Sequence, residues 1–184
     1  MKNVDKVAKV MTKILEVFHW VAVGLMGLAT IISLIEPNWL KYIVDIDTTN
    51  AYADLSIYGF EISAKVTNGS IDMLTFFMFG LGATPIFVLM ALIFRKLNLV
   101  IKNSENSTPF KSCNVKLLKE IGYFSIIIPL VGFVIGIITG LIVGPETIEV
   151  SNSMYGFFMG IIVLCLTQFF THGVELEKDV DGLV

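Results

Sequence analysis

Four uncharged apolar runs constrain this chain more than anything else in it. They cover approximately Ile14–Ile35, Met73–Phe94, Ile121–Val143 and Met154–Thr171. Each is close to the roughly 17–25 residues that cross a bilayer as a helix. No Asp, Glu, Lys or Arg interrupts their interiors, and Glu16 sits in the first turn of the first run. Backbone polar groups in hydrocarbon must be satisfied within the segment, so helices are the solution at this length. The expected architecture is an all-α membrane protein, a four-transmembrane-helix bundle forming one domain over residues 1–184. Only 16% of the residues are charged, against roughly one quarter in soluble domains.

Orientation follows from where the cations lie. Lys2, Lys6, Lys9 and Lys13 precede the first run. Arg95, Lys96, Lys102, Lys111, Lys116 and Lys119 fill the loop 95–120. The loop 36–71 has only Lys41 and Lys65, and Gly144–Ser153 has none. Both termini and the tail 172–184 are therefore expected in the cytoplasm, with 36–71 outside. The first run ends at Glu36-Pro37 without a small-x-small cleavage pattern, which predicts an uncleaved span. A net charge of −3 argues against a nucleic-acid surface. Cys113 and Cys165 fall in the cytoplasmic loop and the fourth span, where no structural disulfide is expected.

The third run carries Gly132, Gly136, Gly140 and Gly144, one every fourth residue. Such a row allows close backbone approach by a partner helix, and it predicts that the third span is the packing spine. Gly156 and Gly160 in the fourth run are its expected mate. The same row can also pack between protomers, so a homo-oligomer is one expectation. Pro85 and Pro129 fall inside the second and third runs, and each removes a helical hydrogen bond, so bends are predicted there. Gln168 is expected to pair across helices.

Outside the spans, Met1–Lys13 reads as an amphipathic interfacial helix, with a partner-binding helix as the alternative. The loop 36–71 predicts two or three short antiparallel strands over the outer mouth of the bundle. Leu40–Ile46 and Leu55–Ser63 are the candidate strands, Thr48–Asn50 a turn between them, and Val66–Ser70 a further turn. Lys111–Glu120 reads as an amphipathic lead into the third span. Gly173 is expected to end the fourth helix, because the acidic tail that follows opposes the helix dipole.

Candidate chemistry is sparse. Glu16 and His19 share a helical face, as do His172 and Glu175, and both pairs lie at inner span ends. Four such groups resemble a carboxylate metal site if they converge. The favoured reading is separate polar residues at helix ends, with no metal and no cofactor. No catalytic or phosphate-binding motif is present. A stand-alone transporter normally needs polar groups at mid-membrane, and the spans offer mainly Thr75, Thr84, Ser125 and Thr139.

Pro109-Phe110, the stretch Asn114–Gly122 and the terminal Gly173-Val-Glu-Leu176…Asp181 resemble the DUF2975 family, small bacterial membrane proteins of unknown function. The resemblance extends over the four-helix layout. Family members more often end in a Glu-rich stretch, then Asp followed by Leu-Thr and a β-branched residue, whereas this tail reads Lys178–Val184. The resemblance implies a bacterial cytoplasmic membrane and a helix-turn-helix regulator as partner. The expected function is thus non-enzymatic: a signalling or regulatory membrane protein tethering a cytoplasmic protein. Pro109, Phe110, Asp179 and Asp181 are its candidate contacts. The alternative is a small channel or transporter subunit, or an immunity-type protein against membrane-active peptides.

Overall fold

The computed structural model describes residues 2–36, 39, 52–67, 70–105, 108–145 and 155–181. In chain order they form α1 (Lys2–Ile35), β1 (Tyr52–Ile57), β2 (Phe60–Thr67), β3 (Ser70–Ile71), α2 (Met73–Ser104), α3 (Ser112–Ile142) and α4 (Tyr155–Asp181). All four helices are long and apolar enough to cross a membrane. Each outruns its apolar core. The lead-in around Lys13 is continuous with α1, and α2 continues ten residues past Phe94. Pro85 and Pro129 stand inside unbroken α2 and α3. The candidate segments Leu40–Ile46 and Thr48–Asn50 lie outside the described residues.

Two compact units emerge. One comprises Met1–Trp20, Leu89–Ile127 and Gly156–Val184, the other Val21–Val88 and Ile128–Tyr155. In the second unit the predicted strand Leu55–Ser63 is instead two strands. β1 pairs with β2 antiparallel, Ile57 opposite Phe60, through a two-residue turn at Tyr58-Gly59. Both turn residues have positive φ, 47° and 82°, as a type I′ hairpin turn requires. Gly59 adopts this freely, whereas Tyr58 does so with its ring edge-on to Phe87, centroids 6.4 Å apart. β3 pairs with the far end of β2, Val66 opposite Ile71.

The hairpin is not a lid. Ala64 clusters with Ile71 and Phe76, Phe60 stacks on Phe79 at 5.5 Å, and Tyr58 meets Phe87. Going down β2 toward the turn means going down α2, through about 21 Å of helix from Met73 to Phe87. One face of the hairpin is apolar: Phe60, Ile62 and Ala64 are buried, and Ala53 and Leu55 pack on the same cluster as Met26 and Ala29 of α1. The top of α2 is fixed to this assembly. Asp72 Oδ2 accepts from the Thr75 amide at 2.9 Å and its hydroxyl at 2.7 Å, a side-chain cap. The Asp72 amide donates to the Lys65 carbonyl at 3.0 Å.

Packing departs from the expected spine. Half of the apolar stretch of α2 is buried, but only 22% of that of α3, so α2 rather than α3 is the more enclosed. Gly132 receives the Phe60 side chain rather than a helix, with a Cβ there lying 3.3 Å from it. Gly136 and Gly144 face open space. Gly140 lies in α3 and Gly156 in α4. Gly160 does meet a helix, but at another place. A Cβ on it would stand 2.8 Å from the Gly122 carbonyl oxygen and 3.1 Å from the Ile126 amide. The close α3–α4 approach is therefore Gly122 against Gly160. On the α1 side of α2, Gly80 makes room for the Thr30 side chain.

Candidate partner-binding site

The first unit gathers the polar ends of the helices. Asn98 on α2 donates from Nδ2 to the Lys9 carbonyl at 2.9 Å and the Thr12 hydroxyl at 3.0 Å. Lys9 Nζ pairs with Glu105 at 2.8 Å, and Lys96 pairs with Glu120. Lys96 also lies 5.4 Å over the Phe124 ring. These contacts tie α1 to α2, and α2 to α3. The surface ion pairs supply geometry more than energy.

The turn between α2 and α3 is held by one residue. Asn114 is fully buried. Its Nδ2 donates to the Pro109 carbonyl at 3.1 Å and Ser104 Oγ at 3.3 Å, while its Oδ1 accepts from Asn103 Nδ2 at 3.0 Å. A buried amide so used closes the loop as a covalent staple would, because every lost bond strands a desolvated partner. Asn114→Leu is expected to cost about 1–3 kcal/mol and to make Thr108–Lys111 more susceptible to protease. Unfolding in detergent and limited proteolysis measure the two effects.

The same turn is latched to α4. Phe110 lies against Gly173, where an added Cβ would be 2.3 Å from its ring, and 5.5 Å from the Phe170 ring. Thr108 donates its hydroxyl to Glu177 at 2.7 Å. These contacts explain why α4 does not end at Gly173 as its sequence predicts. Gly173 serves as the notch for Phe110, and tertiary bonds on both sides of it carry the helix on to Asp181. Pro109 and Phe110, expected as partner contacts, thus also serve contacts within the chain, and both remain exposed, Phe110 at 40%. Asp179 is exposed on α4, and Asp181 ends it.

Beyond the latch α4 presents a different surface. Leu176 and Val180, one turn apart, are 66% and 61% exposed. Glu175, Lys178 and Asp179 around them are exposed as well. Sequence reading missed this pair because the tail was taken as acidic coil. Its signal was the i, i+4 spacing.

The Glu/His pairs do not assemble a ligand set: among the described residues no three His, Cys, Asp or Glu side chains gather. His19 is buried, its ring 5.1 Å from Phe94. Its Nδ1 lies 2.7 Å from the Leu15 carbonyl and so carries the proton. Glu16 accepts from Lys13. His172 stands 3.2 Å from Glu175 on the exposed side of α4. A cleft of about 390 Å³ opens beside it, lined by Lys119, Tyr123, Gln168 and Thr171 among others. Gln168 thus borders a cleft at the α3–α4 seam. Cys113 and Cys165 are exposed free thiols.

No family model, curated protein or solved structure matches the chain.

Proposed function

We propose that this chain is a non-enzymatic multi-pass membrane protein whose cytoplasmic end holds a soluble regulatory protein. The four apolar helices support the membrane location, and the lysines and arginine at their polar ends support cytoplasmic termini. The observation that carries the partner is the end of α4. An exposed Leu176–Val180 pair flanked by Glu175 and Asp179 projects past the apolar run, on a helix braced along the adjacent face by Phe110 and Thr108. An apolar pair on a rigid, charged helix suits a groove in another protein, with basic residues at its rim. The resemblance to the DUF2975 family supports the same reading. Pro109, Phe110, Asn114 and Gly173, which carry it, meet in one latch, and the regulator implied by that family is a helix-turn-helix protein. A bacterial cytoplasmic membrane belongs to this proposal.

The test is co-purification at native expression in mild detergent. The double variant Leu176→Asp, Val180→Asp is expected to reduce recovery of a stoichiometric soluble partner at least about tenfold, a loss of roughly 1.4 kcal/mol, with membrane insertion unchanged. Full recovery of the partner would remove this surface from consideration. Recovery of the chain with itself alone would shift weight to the channel or transporter reading.

A further inference from the structure

The hairpin has a second face. Tyr52, Asp54 and Ser56 of β1 stand opposite Lys65, Ser63 and Glu61 of β2, so these six side chains share one side of the ribbon. It is the side away from Phe60, Ile62 and Ala64. Asp54 accepts the Ser63 hydroxyl at 2.7 Å. Tyr52, Asp54, Ser56 and Lys65 are exposed, and Glu61 is half-buried.

Depth makes this face unusual. Lys65 is level with the cap of α2, since its carbonyl accepts the Asp72 amide. Glu61 and its neighbour Ser56 lie four residues further down, about 13 Å at strand rise. Next to Glu61, Phe60 contacts the sites of Gly82 and Gly132. Those two glycines stand near the midpoints of the apolar runs Met73–Phe94 and Ile121–Val143. A carboxylate is therefore carried to mid-run on a strand, not on a helix.

Hydrocarbon does not tolerate a carboxylate at that depth, and strand backbone persists there only against protein or water. We infer that the polar face of the hairpin lines a water-filled vestibule, open at the Lys65 rim and reaching to the middle of the helices. It would admit water and small hydrophilic solutes from the extracytoplasmic side. Water rather than a second copy of the chain is the occupant, because Tyr52, Asp54, Ser56 and Lys65 are all exposed on this face and burying its charges against another protein surface costs desolvation. This inference rests on the membrane reading above. It supplies the polar groups at depth that the helices themselves lack.

Thiol chemistry tests it, since the reactive thiolate forms only where water reaches. In a Cys113→Ser, Cys165→Ser background, single cysteines replace Ser56, Glu61, Lys65 and Leu28. Leu28 is exposed on α1, inside the first apolar run. A charged, membrane-impermeant thiol reagent is applied to intact cells and to inside-out vesicles. Ser56→Cys and Glu61→Cys are expected to label from outside within about tenfold of the Lys65→Cys rate, with Leu28→Cys at least about a hundredfold slower. If Lys65→Cys labels but Ser56→Cys reacts only with a lipid-soluble maleimide, or not at all, the face is covered and the vestibule is overturned while the membrane reading stands. If Leu28→Cys labels as fast as Lys65→Cys, the membrane reading itself fails. Labelling of Lys65→Cys only in inside-out vesicles overturns the direction of opening.

Discussion

Gly160→Ala is expected to separate α3 from α4 and to destabilise the protein by about 2 kcal/mol, within the range for overpacking a filled site. The reason is what the added methyl would meet. At Gly160 the neighbours are the Gly122 carbonyl oxygen at 2.8 Å and the Ile126 amide at 3.1 Å, as well as the Ile126 side chain. Backbone cannot swing aside as a side chain can, so a whole helix must move. Gly122→Ala is expected to cost less, because Leu164 is its nearest obstacle and a leucine can change rotamer. Gly136→Ala supplies the contrast. Nothing stands within 4 Å of its Cβ, so thermal unfolding in detergent should be unchanged. The order Gly160, then Gly122, then Gly136 is the result to check. A large loss at Gly136 would instead mean that another copy of the chain covers it.

Phe60→Ala is expected to cost about 3 kcal/mol, the low end of the range for a buried phenylalanine. Phe60 is 4% exposed and fills the space left by two glycines while stacking on Phe79. Removing the ring leaves a void bounded by Gly82 and Gly132, and neither has a side chain to collapse into it. The low end applies on the membrane reading, where outer helix surfaces meet lipid and little is gained from water release there. Unfolding monitored in detergent gives the size of the loss. Phe60→Leu, which keeps most of the volume, should recover about half of it. A loss under about 1 kcal/mol for Phe60→Ala would mean that the hairpin does not depend on this wedge.

The helices were legible because twenty apolar residues in a row admit one solution in hydrocarbon. The hairpin was half legible. Alternation was visible in Leu55–Ser63, but its parity changes: Leu55 and Ile57 are odd, whereas Phe60, Ile62 and Ala64 are even. A two-residue turn produces that shift, and Tyr58 hid it because a tyrosine seldom adopts positive φ. Depth was not legible at all. Nothing local in Phe60 says that its ring will seat against Gly82 and Gly132, two positions distant in sequence. The glycine row was read as a groove for a partner helix, but spacing does not say what fills each position: a phenylalanine at Gly132, open space at Gly136. Gly173 shows the same limit, since a helix stop and a notch for Phe110 look alike in one dimension. Asn114 was legible only as the first residue of the stretch Asn114–Gly122, because an asparagine at the start of a helix is ordinarily a polar end residue and nothing local shows that its amide closes the turn.

The hairpin's place alongside α2 also fixes an order of assembly. On the membrane orientation proposed above, the segment between α1 and α2 is delivered across the bilayer as unpaired chain. Its strands cannot seat until α2 and α3 have both arrived, because Gly82 and Gly132 together form the slot for Phe60. Asp54, Glu61 and Lys65 therefore cross the membrane once and then return part of the way as a paired ribbon. Insertion of the helices and maturation of the protein are separate events, and the second is the later. On that reading the chain in the interval is fully inserted but unfinished, with the apolar face of its ribbon not yet packed.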